Sequence, residues 1–289
     1  MTPQNKHDWW PLPLAVRRQA AHVLTPKGRR KTGLFLIEGF RLLESALEHR
    51  WPIESIIVRE DRASPARLGS LLTEFPAAVE HVYTAAPKII EELTATVEPA
   101  GVIALARQKP PLKVDDRPLG RRFLVADTIR DPGNLGAILR SAAAFAVEGV
   151  YLSPGCVEPY NPKVVRAAMG ALFGLAVYPD VDPLDLGMKL RAAGFRVFVA
   201  DPHEGIDPNG VQPTARWALV IGGETHGYSA GWRSVGARPV RIPMSAKVES
   251  LNSAVATGIL LYQLSAQQPP EKKHKPDAGG IHRDRKKGV

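Results

Sequence analysis

Three residues in one short stretch could do chemistry together. Asn134, Gly136 and Arg140 lie in DPGNLGAILRSAAAF, Asp131 to Phe145, which begins like a turn and continues like a helix. A helix from about Asn134 to Phe145, turning about 100° per residue, gathers Leu135, Ile138, Ala142 and Phe145 on one buried side. Arg140 then points away from that side. Its neighbours three and four positions off are Gly136, Ala137, Ala143 and Ala144. So bare a platform admits another backbone, a second subunit or a ligand. It is equally what an exposed arginine on an alanine-rich helix looks like, since both residue types favour helices. Asn134 follows Pro132-Gly133, where a helix cap belongs. It either caps the helix or holds a polar group near Arg140.

Two further stretches carry comparable promise. VIGGETHGYS, Val220 to Ser229, ends an apolar run in Gly222, Gly223 and Gly227, which let a backbone approach a ligand closely, with Glu224 at the rim. The plain alternative is a glycine turn. No Gly-Lys-Ser/Thr follows, and no dinucleotide GxGxxG pattern occurs anywhere. RIPMSAKVESLNSAVATG, Arg241 to Gly258, joins a short strand to a helix, with Ser250 and Asn252 at or near the helix start. Glu249 or Ser250 could simply cap it. Leu251, Val255, Ile259 and Tyr262 are expected to form its buried stripe.

The elements that must position these residues alternate. The N-terminal part reads as strand LFLIEG, helix FRLLESALEH, strand IESIIVRE, helix PARLGSLLTEF, strand HVYTA, helix PKIIEELT and strand GVIALAR. In the C-terminal part, strands RRFLVAD, GVYLS, GLAVY, FRVFVAD, RWALVIGG and RPVRIPM are separated by helical stretches, including NPKVVRAAMGALF and PLDLGMKLRAAG, and a long helix closes it. Such alternation implies a mostly parallel sheet with helices on both faces and a ligand beyond the carboxyl ends of the strands. RQKPPLKVDDRPLGRR, rich in proline and charge, reads as a linker. The expected domains are therefore 1–106, a linker 107–121, 122–268, and a basic disordered tail 269–289.

Composition sets bounds on function. The chain has 289 residues, 44% of them hydrophobic, enough for a substantial core. No apolar run approaches the ~20 residues of a membrane span, and the first residues lack a signal-peptide core. A single cysteine, Cys156, excludes an intramolecular disulfide and a cysteine-rich zinc site. A cytoplasmic protein is the expectation. The net charge of +9 attracts polyanions. Arg29, Arg30, Lys31 and Arg41, which belong to an apparently folded segment, are the candidate docking residues for a polyanion, RNA or DNA alike on charge alone. Trp9 and Trp10 could stack on bases or anchor the terminus.

Taken together, the three stretches resemble the SpoU/TrmH family of RNA 2′-O-ribose methyltransferases in the SPOUT superfamily. The first motif is matched by Asn134, Gly136 and Arg140, and the second by Gly222, Glu224 and Gly227. The third, I-P-M then V-E-S-L-N, is matched by Ile242, Pro243, Met244, Ser250, Leu251 and Asn252. KTGLFLIEGFRLLESAL is similar to the family's auxiliary L30e-like substrate-binding domain. The resemblance implies an α/β fold whose C-terminal sheet carries a deep trefoil knot. It implies S-adenosylmethionine held near Ala200, Gly223, Ile242, Met244, Ser250 and Leu251, with no metal. It also implies an obligate homodimer in which Arg140 of one subunit completes the other's site.

The implied reaction moves a methyl group from a sulfonium to a ribose 2′-oxygen. The family proposal makes Arg140 the proton acceptor. A guanidinium holds its proton far above neutral pH, so gripping the adjacent phosphate or stabilising charge on the 2′-oxygen are the alternative roles. Glu224, Ser250 and Asn134 would orient these groups, and Asn252 would position the ribose. Ribosomal RNA is the expected substrate ahead of tRNA. A noncatalytic RNA-binding protein on the same scaffold and an ordinary doubly wound nucleotide enzyme are the competing readings.

Overall fold

The computed structural model describes residues 9–61, 65–76, 78–94, 101–112, 114, 120–211, 216–224 and 227–266. The tail expected at 269–289 lies outside them, as does part of the linker.

Two sheets organise the chain. The N-terminal sheet has the order β1-β4-β3-β5-β2, from β1 (Trp10–Pro11), β2 (Leu34–Glu38), β3 (Ile53–Arg59), β4 (Val79–Ala85) and β5 (Val102–Arg107). β5 runs antiparallel to both β2 and β3, while β3 and β1 lie parallel to β4. Alternate strand residues serve opposite faces. Phe35, Ile37, Ile56 and Val58 pack with Leu43 and Leu47 of α3 (Phe40–Glu48) and Leu68 of α4 (Pro65–Glu74). Leu34, Leu36 and Ile57 pack with Ala20 of α1 (Leu14–His22) and Ile90 of α5 (Pro87–Leu93).

Strand order in the C-terminal sheet is β11-β9-β10-β6-β7-β8, and every pairing is parallel. Its strands are β6 (Arg122–Asp127), β7 (Gly149–Leu152), β8 (Ala176–Tyr178), β9 (Arg196–Ala200), β10 (Trp217–Gly222) and β11 (Arg238–Val240). Helices cover both faces, as the alternation predicts. Leu124, Ala126, Leu219 and Ile221 meet α6 (Pro132–Ala144), α7 (Pro162–Ala167) and α11 (Ser253–Ala266). Phe123, Val125, Ala218 and Val220 meet α9 (Pro183–Ala192) and α10 (Gly231–Ser234).

Local details depart from the sequence reading. NPKVVRAAMGALF is two helices, α7 and α8 (Ala171–Gly174), because Met169 at φ 51 and Gly170 at φ 94 turn the chain between them. RPVRIPM is a strand only to Val240, and the segment beyond it is irregular. α6 begins two residues before Asn134 and is capped by Asp131, whose Oδ1 accepts the Asn134 backbone N–H at 2.7 Å; Asn134 is not the cap. Val255, Ile259 and Tyr262 are not the buried stripe of α11. They are 51%, 37% and 57% exposed, while Thr257, Leu260, Leu261 and Leu264 face the core.

The two parts dock directly. Phe35 and Trp51 stack with Tyr160 and Phe173 from the C-terminal part, with ring centroids 4.8 Å (Phe35–Tyr160) and 5.3 Å (Trp51–Phe173) apart. Arg29 crosses the same boundary. It is buried, gives hydrogen bonds to the carbonyls of Val23 and Leu24 and pairs with Glu158, so it is a structural tie, not an RNA contact. A charge with 1% exposure has no surface to offer a phosphate. Arg30, Lys31 and Arg41 are exposed, as docking residues must be. The described part of the linker is also held: Gln108 donates to the carbonyls of Arg29 and Leu34.

Candidate active site

Two cavities open side by side where β9, β10 and β6 run out at their carboxyl ends. The larger is a cleft of about 590 Å³. Ala200, Gly223, Ile242, Met244, Ser250 and Leu251, all expected to hold the cofactor, line it. The smaller, about 170 Å³, is formed by the loop between β6 and α6 together with Asn134. Gly223, Glu224 and Ser253 belong to both walls.

Glycine permits the turn after β10. Gly223 and Gly227 exchange backbone hydrogen bonds at 3.1 and 2.9 Å. A Cβ on Gly222 would stand 2.3 Å from the carbonyl carbon of Gly227, and one on Gly223 would stand 2.7 Å from the carbonyl oxygen of Thr128. Side chains at either position would force the strands' loops apart.

This turn delivers Glu224 to a polar junction. Asn134 Nδ2 donates to Glu224 Oε1 at 2.9 Å, and Asn252 Nδ2 donates to the same oxygen at 3.0 Å and to Asn134 Oδ1 at 2.8 Å. Asn252 Oδ1 meanwhile accepts the backbone N–H groups of Ala254 and Val255, capping α11. One residue from each of the three motifs therefore meets at a single point. Ser250 lines the cleft without joining this junction. Arg140 is exposed and makes no hydrogen bond or ion pair among the described residues. It lines neither cavity. Its platform is narrower than expected: Ala143 and Ala144 are exposed, but Gly136 is buried, and a Cβ there would lie 2.4 Å from that of Ala167 on α7.

The sequence reading missed the residues that brace the loops. Asp127, fully buried at the end of β6, accepts four hydrogen bonds: from Ser153 Oγ at 2.7 Å, the Ser229 N–H at 2.7 Å, Ser229 Oγ at 3.0 Å and Trp232 Nε1 at 2.9 Å. Asp201 braces the loop after β9 with three accepted hydrogen bonds and an ion pair to Arg233. Burial would raise its pKa, but the backbone N–H groups of His203 and Glu204, the Tyr228 hydroxyl and Arg233 outweigh burial and hold the carboxyl below its usual range. Both follow the same Val-Ala pair at a strand end, the one signal in the sequence that could have marked them. Ser253, buried at the first turn of α11, has a side-chain oxygen without a hydrogen-bond partner among the described residues.

The chain is similar to known proteins over most of its length. The description "SpoU rRNA Methylase family" matches residues 121–262, and "MRM3-like substrate binding domain" matches residues 18–104. The 23S rRNA (uridine(2479)-2′-O)-methyltransferase of Streptomyces viridochromogenes is 31% identical, over 83% of this chain and 85% of its own. The 23S rRNA (guanosine(2553)-2′-O)-methyltransferase RlmP of Bacillus subtilis is 30% identical, over 83% of this chain and 92% of its own. Among solved structures, the SpoU methyltransferase AviRb from Streptomyces viridochromogenes in complex with AdoMet superimposes with a TM-score of 0.78 at 29% identity, covering 90% of this chain and all of that one. The AdoMet-bound rRNA methyltransferase from Sinorhizobium meliloti gives 0.78 at 27%, covering 90% and 97%. The fold is that of an α/β methyltransferase with a separate substrate-binding part. The chain belongs to the SpoU rRNA methylase family.

Proposed function

We propose that this protein transfers a methyl group from S-adenosylmethionine to a ribose 2′-hydroxyl of ribosomal RNA. The observation that carries this reading is the shared wall: a nucleoside-sized cleft and a smaller polar pocket meet at Gly223 and Glu224, where Asn134 and Asn252 converge. The cleft suits the cofactor chemically. Ile242, Met244, Leu251 and Leu260 offer apolar surface to an adenine, and the glycine turn offers backbone without side chains. When bound, S-adenosylmethionine supplies a methyl group already activated on a positively charged sulfur.

The chain's own residues then have distinct tasks. Asn134 and Asn252 orient the Glu224 carboxylate at the edge of the smaller pocket, where an acceptor ribose fits. Ser250, which lines the larger cleft, would help hold the cofactor there. Arg140, absent from its own subunit's cavities, serves the site of a second copy. There it grips the neighbouring phosphate or stabilises negative charge growing on the 2′-oxygen, and the hydroxyl proton leaves to water instead of to the guanidinium.

A homodimer is part of this reading. Val255, Ile259 and Tyr262 recur at helical spacing on the exposed side of α11, and the Tyr262 ring lies 6.2 Å from that of Phe145 at the end of α6. This apolar strip beside Ala143, Ala144 and Arg140 is the proposed seam. The trefoil knot belongs to the same reading, supported by the way the segments after β10 and β11 meet α11 around one cleft. So do the division at residues 107–121 and RNA docking through Arg30, Lys31 and Arg41. Among the described residues no helix is long and apolar enough to cross a membrane; the proposed location is the cytoplasm.

The test is to map 2′-O-methyl marks in ribosomal RNA from cells with and without the gene, alongside calorimetry with S-adenosylmethionine. One ribose mark lost with the gene, and saturable cofactor binding, are expected. Cofactor binding with no lost mark would move the substrate to another RNA. No cofactor binding would favour a noncatalytic RNA-binding protein.

A further inference from the structure

The smaller pocket poses an electrostatic problem. Its wall carries two carboxylates, Asp131 and Glu224, yet on the reading above it receives a polyanion. One cation of the same subunit lines it, Arg130. Its side chain is exposed and makes no hydrogen bond or ion pair among the described residues.

The backbone that carries Arg130 is held on both sides. The Thr128 N–H donates to Ser153 Oγ at 2.9 Å, and the Ile129 N–H donates to Cys156 Sγ at 3.3 Å. The Ile129 carbonyl accepts from the Val157 N–H at 2.9 Å, and Asp131 caps α6. Thr128 adopts φ 58, a left-handed conformation that costs a non-glycine residue energy and persists only where its surroundings impose it. A free guanidinium on a pinned loop, beside a pocket bordered by Glu224 and Asn134, is pre-organised for a fixed anion.

We infer that Arg130 grips the RNA phosphate adjacent to the acceptor ribose, from the subunit that owns the pocket. Its planar fork matches two phosphate oxygens, and its charge offsets the repulsion from Asp131 and Glu224. Arg130 thus positions the acceptor and makes the pocket selective for a nucleotide within a chain over a free nucleoside. This rests on the reading that the acceptor is RNA.

The experiment uses unmodified 23S ribosomal RNA made by transcription, with the full-length protein and its Arg130→Ala, Arg130→Lys and Arg238→Ala variants. Arg238 is exposed at the start of β11, the other end of the sheet, and controls for loss of one charge. RNA affinity is titrated across salt concentrations, with KM and kcat for methylation and the dissociation constant for S-adenosylmethionine. Arg130→Ala should weaken RNA binding about tenfold, as expected for one charge-assisted contact. It should flatten the slope of log affinity against log salt by about 0.7, and leave cofactor affinity within about twofold. Arg130→Lys should keep the slope and lose part of the affinity. Equal behaviour of the Arg130 and Arg238 variants would overturn the proposal, and so would a variant whose main defect is cofactor binding. The binding titration needs no turnover, so an inactive wild type would count against the proposed reaction while Arg130 is still judged.

Discussion

Asn252 and Asn134 stand 118 positions apart in the chain, and the side-chain amide of the first donates to that of the second at 2.8 Å. The same Asn252 side chain caps α11 with its oxygen. Helix start and polar junction are thereby one object: α11 cannot fray at its first turn without withdrawing one of the two amides that hold Glu224.

The two duties of Asn252 are separable. Asn252→Ser retains an oxygen for the cap but cannot bridge Asn134 and Glu224, whereas Asn252→Ala loses both. Asn252→Ala should cost about 1 kcal/mol of stability, and Asn252→Ser only a few tenths. Both should lower turnover by at least tenfold, on the order of one lost charge-assisted interaction. Thermal unfolding paired with methylation assays checks this, and normal turnover in Asn252→Ser would remove the junction from the mechanism.

Arg140→Ala should abolish methylation while the dimer and cofactor binding persist, because the side chain makes no hydrogen bond or ion pair among the described residues and lines neither cavity of its own subunit. Arg140→Lys should remain severely impaired, since lysine keeps the charge and loses the fork. Mixing Arg140→Ala with a Glu224→Ala variant should restore partial activity if the arginine serves its partner's pocket. Activity assays on co-expressed, differently tagged subunits read this directly.

Tyr262→Asp places a charge in the exposed apolar strip of α11. It should yield a folded monomer by light scattering, with unchanged far-UV circular dichroism and no methylation. A dimer that survives both Tyr262→Asp and Ile259→Lys would put the seam elsewhere.

Asp127→Ala leaves Ser229, Ser153 and Trp232 without their shared acceptor, two of them buried. The expected loss is on the order of 3 kcal/mol or more, visible as a lowered denaturation midpoint. The cleft should weaken with it, because Ser229 and Trp232 follow the glycine turn that lines it.

Asp201 makes stability depend on pH. Its folded pKa lies below the unfolded value of about 3.9, so its contribution is complete above that value and disappears as pH falls through the lowered one. Asp201→Asn should therefore destabilise the protein near neutral pH and converge on the wild type in acid. Melting temperatures of both proteins across that range check the sign. A constant gap would show that packing, and not charge, is what Asp201 supplies.

Much of this protein was legible in one dimension. Short continuous apolar runs such as FLVAD and ALVIG, buried on both faces, alternate with period-3.6 stretches, and that alternation determines a parallel sheet covered on both faces, with its cleft at the strand ends. The three motif stretches also named the residues of the junction and the cleft. Local pattern could not say which side of an apolar helix is buried. α11 is apolar nearly all round, so Leu260, Leu261 and Leu264 competed with Val255, Ile259 and Tyr262 for the core, and only the position of α6 and β10 chose between them.

Charge was equally silent about its own burial. Arg29, Arg30 and Lys31 are adjacent, yet Arg29 faces Glu158 across the boundary between the two sheets while its neighbours face solvent. Asp127 and Asp201 likewise acquire their bracing roles from partners up to 105 residues away. The sequence by itself determined the elements, the motif residues and the end of the sheet where they collect, because these depend on local periodicity and residue type. Tertiary structure alone decided which polar groups are desolvated and paired, because that energy depends on neighbours brought from afar.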